Sequence, residues 1–133
     1  MIVSVIIPVK NGGKLFEKVM KALLTQNFSD FEIIIIDSGS KDKSVEFVKS
    51  LQKEYGNIIL KEIEPSEFGH GKTRNYGASL ANGEFLVFIT QDALPYNENW
   101  LSEMIKPFIL DKEVVGMFAK HLPYDDCDIF EKE

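Results

Sequence analysis

Four short polar clusters interrupt an otherwise apolar chain, and together their side chains could hold a phosphorylated ligand. They are Pro8-Val9-Lys10-Asn11, Asp37-Ser38-Gly39-Ser40-Lys41-Asp42, Phe68-Gly69-His70-Gly71-Lys72-Thr73-Arg74-Asn75 and Thr90-Gln91-Asp92. A carboxylate such as Asp37 accepts hydrogen bonds from a ribose or a base. Arg74 offers a fixed fork of donors suited to a diphosphate, and a place in the first turn of a helix would add free backbone amides. Asp92 supplies the hard oxygen that a divalent cation prefers, and such a cation can bridge phosphate oxygens. Each cluster also has a plainer reading. Asp37 to Asp42 can be an Asx turn capping the next helix, Asp92 an ordinary loop aspartate before Pro95, and the glycines around His70 a tight turn. The ligand-binding reading requires a fold that brings all four clusters to one crevice.

The hydrophobic pattern supplies such a fold. Ile2 to Val9, Phe31 to Ile36 and Phe85 to Ile89 are short, nearly continuous apolar runs rich in β-branched residues, as strands covered on both faces should be. Ile58 to Ile63 is a less apolar strand, nearer an edge, and Val114 to Ala119 a last one. Between them, Leu15, Phe16, Val19, Met20, Leu23 and Leu24 fall at helical spacing, as do Val45, Val48, Leu51 and Tyr55. A short helix carries Tyr76, Ala78, Leu80 and Ala81 and ends at Asn82-Gly83; another runs over 97–111, kinked or ended at Pro107. From Pro123 onward the composition turns acidic and irregular, with no evident element. Alternating strands and helices predict an α/β fold, a mainly parallel sheet flanked by helices, in which ligands bind outside the carboxyl ends of the strands. All four clusters fall at such ends or at a helix start.

Composition narrows the field. The chain has 133 residues, 44% hydrophobic and 27% charged, which suits one folded domain. Fifteen Lys and Arg against 21 Asp and Glu leave a net charge of −6, which argues against a surface built to neutralise the phosphates of nucleic acid. Cys127 is the single cysteine, so neither a disulfide framework nor a zinc-ligand spacing is present. The start of the chain lacks the pattern of a signal peptide, and no apolar run reaches membrane-spanning length. The expectation is a cytoplasmic chain with at most peripheral contact at the inner face of a membrane.

The four motifs, in order and in register, resemble glycosyltransferase family 2, which has the GT-A (Rossmann-like) fold. The similarity spans Val3 to Asn11, Ile36 to Asp42, Gly71 to Ala78 and Gly83 to Asp92. Phe68-Gly69-His70-Gly71 with Thr90 to Pro95 is similar to the rhamnosyltransferase-like branch. The resemblance implies an inverting transfer of a sugar, rhamnose for that branch, from a nucleoside-diphosphate donor to a hydroxyl of a saccharide or glycolipid acceptor. It implies that Pro8, Val9 and Asn11 line the nucleobase pocket and that Asp37 meets base or ribose. Ser38 stands where many relatives have a second acid. Arg74 would lie near the diphosphate, with Gln91 at the donor site, and Asp92 would hold Mg2+ or Mn2+ brought by the nucleotide. Thr90 replaces the first aspartate of the family's Asp-x-Asp motif, so binding of free metal should be weak; a metal-independent site is the alternative. For His70, a donor contact and a solvent-exposed turn residue both stand. His121 and Trp100 are read as structural. Lys120-His121-Leu122-Pro123 resembles a point midway through the family domain, so residues 1–133 would be its N-terminal nucleotide-sugar-binding part. The catalytic base would lie beyond Glu133, and the tail residues Asp125, Asp126 and Asp128 would be solvated charges.

Other readings fit less well. A nucleotidyltransferase loop would need more than Gly12-Gly13-Lys14, a receiver domain would need acids after the first strand, and a dinucleotide-binding fold would need G-x-G-x-x-G at Asn11 to Phe16. A module that binds a nucleotide sugar without turning it over remains a rival from a different class.

Overall fold

The structure, a computed structural model, describes residues 3–110, 117–118 and 127–131. In chain order the elements are β1 (Val3–Val9), α1 (Gly13–Leu24), β2 (Phe31–Asp37), α2 (Ser44–Gln52), β3 (Ile58–Glu62), a 3-10 turn (Pro65–Glu67), α3 (His70–Leu80), β4 (Phe85–Ile89), α4 (Trp100–Leu110), β5 (Met117–Phe118) and β6 (Cys127–Glu131). They form one sheet in the order β3-β2-β1-β4-β6-β5. The first four strands are mutually parallel, with Val3 beside both Phe31 and Phe85. β6 pairs antiparallel with β4, and β5 antiparallel with β6.

Strand alternation divides the core in two. Val3, Val5, Ile7 and Val9 of β1, Phe31, Ile33 and Ile35 of β2, and Phe85, Val87 and Ile89 of β4 point to one face. There they meet Phe16, Val19, Met20 and Leu23 of α1, Val48 of α2, and Trp100, Leu101 and Met104 of α4. Ile6, Ile34, Ile36, Leu86 and Phe88 point the other way, against α3. Because side chains alternate with period two, the parallel register keeps each face apolar across the central strands. Trp100 is 4% exposed, as its structural reading requires.

α3 packs directly on the sheet at Gly77, which faces Ile6 and Ile36: a Cβ there would sit 2.5 Å from Ile6 Cγ2. Its exit is fixed by a buried polar network. Glu32, 2% exposed, accepts hydrogen bonds from Ser4 Oγ (2.6 Å), Asn82 N (2.7 Å) and Asn82 Nδ2 (3.1 Å), while Ser4 Oγ accepts one from Gly83 N (2.9 Å). Burial alone would raise the Glu32 carboxyl, but these hydrogen bonds outweigh it and hold the group below its ordinary value.

Four sequence expectations need correction. Asn82-Gly83 does not close α3 through a left-handed residue. The cap is Ala81 in extended backbone, and Gly83 is needed because a Cβ would lie 2.7 Å from the Ser4 nitrogen and the Val3 carbonyl carbon. α4 starts at Trp100 and continues past Pro107 to Leu110, the proline removing one helical hydrogen bond without ending the helix. The region after Pro123 does contain an element, β6; of the last predicted strand, the described residues Met117–Phe118 pair antiparallel with β6. α3 begins at His70, so Arg74 lies in its second turn rather than its first. His121, Asp125 and Asp126 lie outside the described residues.

Candidate functional site

The chain order reverses between β1 and β4. From β1 the chain proceeds through α1 to β2 and through α2 to β3, then returns through α3 to the far side of β1. Connections leaving neighbouring strands toward opposite faces open a crevice at the strands' carboxyl ends. A cleft of about 290 Å³ lies there, close to the lower end of small-molecule sites. Pro8, Val9 and Lys10 of the β1 end line it, with Ser38 after β2 and Ile89, Thr90 and Gln91 at the β4 end. Pro65 and Phe68, together with His70 and Arg74 of α3, complete it.

Six of the residues singled out in the sequence therefore converge on one wall: Pro8, Val9, Ser38, His70, Arg74 and Gln91. Asn11, Asp37 and Asp92 are not part of that lining, and their side chains brace the loops around it. Asp37, 2% exposed, accepts through Oδ1 from Gly39 N (2.9 Å) and Ser40 N (2.8 Å) and through Oδ2 from Ser40 Oγ (2.5 Å). That is the Asx turn, although it does not cap α2, which begins at Ser44. Asn11 adopts a positive φ of 50°, which asparagine tolerates better than most residues. Its N–H donates to Ser40 Oγ (2.8 Å) and its Oδ1 accepts from Lys41 N (2.7 Å). Gly12 N donates to Ser44 Oγ (3.1 Å) and Gly13 N to Asp42 Oδ2 (3.1 Å), so the loops after β1 and β2 form one hydrogen-bonded unit. The Ser44 hydroxyl is the largest influence and, with the Ser44 and Gly13 amides, keeps the exposed Asp42 carboxyl below its ordinary value against burial, which opposes them and ranks second.

At the β4 end, Gln91 Oε1 accepts from Lys10 N (2.8 Å), tying the two strands that flank the reversal and fixing which end of the amide is which. Thr90 Oγ1 donates to Asp92 Oδ1 (2.7 Å). His70 and Arg74, four residues apart, share one face of α3. The Arg74 guanidinium carbon lies 5.7 Å from the centre of the Phe88 ring, a cation–π contact that anchors it over β4. His70 is exposed, and its ring meets that of Phe68 at 5.2 Å and 76°. Sequence reasoning gave no role to Pro65 or Phe68. Pro65 is placed by Gly39, where φ is +97° and a Cβ would lie 2.7 Å from Pro65 Cγ; no local pattern in the sequence signals that contact.

Among the described residues no group of three or more His, Cys, Asp or Glu side chains converges. A preformed metal cage is not built there. Asp92 and the Thr90 hydroxyl are hard oxygen donors, a set that fits a divalent cation only if phosphate and water oxygens complete the shell.

The fold and the crevice at the strand reversal define a GT-A protein, a doubly wound α/β sheet with its site at the carboxyl ends. The family model for Glycosyl transferase family 2 matches residues 4–125, and the chain belongs to that family. It is 31% identical over 129 residues to the O-antigen chain rhamnosyltransferase RfbN of Salmonella typhimurium, covering 96% of this chain and 40% of that protein. It is 36% identical over 127 residues to the O-antigen chain rhamnosyltransferase WbaN of Salmonella anatum, covering 94% and 38%. The crystal structure of S. aureus TarS 1–349 in complex with UDP-GlcNAc superposes with a TM-score of 0.74 at 28% identity, over 83% of this chain and 32% of that one. The chain thus spans about two fifths of the length of these two curated relatives.

Proposed function

We propose that the cleft binds a nucleoside-diphosphate sugar and that the protein transfers the sugar, with inversion, to a hydroxyl of a saccharide or glycolipid acceptor in polysaccharide or glycoconjugate synthesis. The observation that carries this reading is the convergence of Pro8, Val9, Ser38, Arg74 and Gln91 on one crevice at the strand reversal. The names of the two rhamnosyltransferase relatives support rhamnose as the sugar, and the TarS complex with UDP-GlcNAc supports a nucleotide-sugar ligand.

In this reading residues 1–133 are the nucleotide-sugar-binding part of the domain. The β1 end, with Asn11 and Asp37 bracing it, receives the nucleoside, while Arg74 faces the diphosphate, with His70 one helical turn before it. Asp92, oriented by Thr90, would hold Mg2+ or Mn2+ together with the phosphates; the cation supplies positive charge against the departing nucleoside diphosphate. Arg74 stabilises the same developing charge from α3, held in place before the reaction by Phe88. Among the described residues no helix is long and apolar enough to cross a membrane. We propose a cytoplasmic location for these residues, with at most peripheral contact at the inner face of the membrane.

Titration calorimetry with nucleoside diphosphates and Mn2+ tests the assignment. Asp92→Asn and Arg74→Lys should each weaken binding by about tenfold, the order expected for losing a charged or bidentate contact. Unchanged affinity in both variants would refute the site.

A further inference from the structure

We propose that Phe68 is the aromatic surface against which the nucleobase of the bound nucleotide lies, with His70 bracing its ring; this rests on the nucleotide reading of the cleft. Phe68 is a large apolar side chain that lines the cleft yet is 41% exposed. A phenyl ring left in water at the edge of a binding site gains from a ligand that covers it.

Its position is set before any ligand arrives. Phe68 N donates to Pro65 O (3.2 Å), Glu67 N to Glu64 O (2.9 Å), and Glu64 N to Glu67 Oε1 (2.9 Å), so the 3-10 turn is closed from both ends. Pro65 in turn packs against Gly39, which joins this turn to the loop braced by Asp37. The edge-to-face contact with His70 fixes the tilt of the ring from the α3 side. A ring held this way loses little freedom on binding, which favours affinity.

The kind of ligand follows from the rest of the lining. Pro8, Val9, Pro65 and Ile89 are apolar, whereas Arg74 gathers positive charge toward α3. A cleft with an aromatic and aliphatic part beside a cation suits a molecule with a flat ring at one end and an anion at the other. A heterocyclic base offers a flat π-face to such walls and keeps its polar groups at its edge, where the polar part of the lining can meet them. Stacking tolerates any base, so Phe68 supplies affinity without choosing among bases.

The test is calorimetry on the chain with UDP, GDP and dTDP, each with Mn2+, and with inorganic diphosphate and Mn2+. Phe68→Leu should weaken the best-bound nucleoside diphosphate by about tenfold, within the range for losing one base–aromatic contact, and leave inorganic diphosphate unchanged. Phe68→Trp should keep nucleotide affinity and show fluorescence quenching on binding that the parent, with only the buried Trp100, does not show. Phe68→Leu within twofold of the parent, while Arg74→Lys weakens binding, overturns the role of Phe68 and leaves the cleft assignment standing. A parent that binds none of the nucleotides overturns the nucleotide reading itself.

Discussion

Replacing Gly77 by alanine should destabilise the protein even though alanine is the better helix former. In an open helix the exchange stabilises by about 1 kcal/mol. Here the new Cβ would lie 2.5 Å from Ile6 Cγ2 and 3.1 Å from Ile36 Cδ1. Both isoleucines are completely buried in neighbouring parallel strands, so neither side chain has space to retreat. Overpacking of a tight core costs about 1–3 kcal/mol, and a contact this far inside the carbon–carbon optimum belongs at the upper end. Subtracting the propensity gain leaves a net loss of about 2 kcal/mol. The alternative is for α3 to move out by about 1 Å, the difference between this contact and an unstrained one. His70 and Arg74 ride on that helix, so nucleotide affinity should fall severalfold along with stability. Urea unfolding and calorimetry measure the two losses. Adding Ile6→Leu, which removes the Cγ2 branch at nearly constant volume, should recover part of both. A Gly77→Ala variant as stable as the parent would refute the claim that close helix–sheet packing sets the position of α3.

Glu32→Gln should cost about 1–3 kcal/mol at neutral pH, since an amide cannot accept all three hydrogen bonds that the buried carboxylate receives. Because the folded-state value of Glu32 is depressed, its contribution is present above the ordinary carboxylate value of 4.5 and is lost as pH falls through the folded value. Stability against pH should therefore drop in the acid range in the parent and drop less in Glu32→Gln. Thr90→Val removes the hydroxyl that orients Asp92 and should weaken Mn2+ binding in the presence of nucleoside diphosphate by about fivefold, the equivalent of one hydrogen bond. Equal Mn2+ affinity, read by calorimetry, would show that Thr90 only finishes the strand.

The alternation of strand and helix was legible because each element satisfies a local period, and the location of the crevice followed from the rule that ligands bind outside the carboxyl ends of parallel strands; the strand order that opens it did not. What escaped were contacts between elements distant in the chain. β6 is five residues after an acidic stretch, and its identity comes from pairing with Phe85 to Ile89 across some forty positions of sequence. The glycines at 77 and 83 look alike in sequence to any helix glycine or helix terminator, yet both serve close approach to β1.

The division of labour within the site was the least legible part, and Asp37 shows why. Residue type says that a carboxylate can accept from a ribose or a base, but the backbone decides whether it is still able to. A carboxylate has about four acceptor directions. Asp37 spends two of them on the Gly39 and Ser40 amides and one on the Ser40 hydroxyl. At most one direction remains for a ligand, on the same oxygen that already holds Ser40. The same logic applies to Asn11, whose oxygen is engaged by Lys41 N. Under the proposed function, both residues would shape the nucleoside end of the cleft chiefly by locking its loops, and direct contact would fall to side chains that line it, such as Phe68, Arg74 and Gln91.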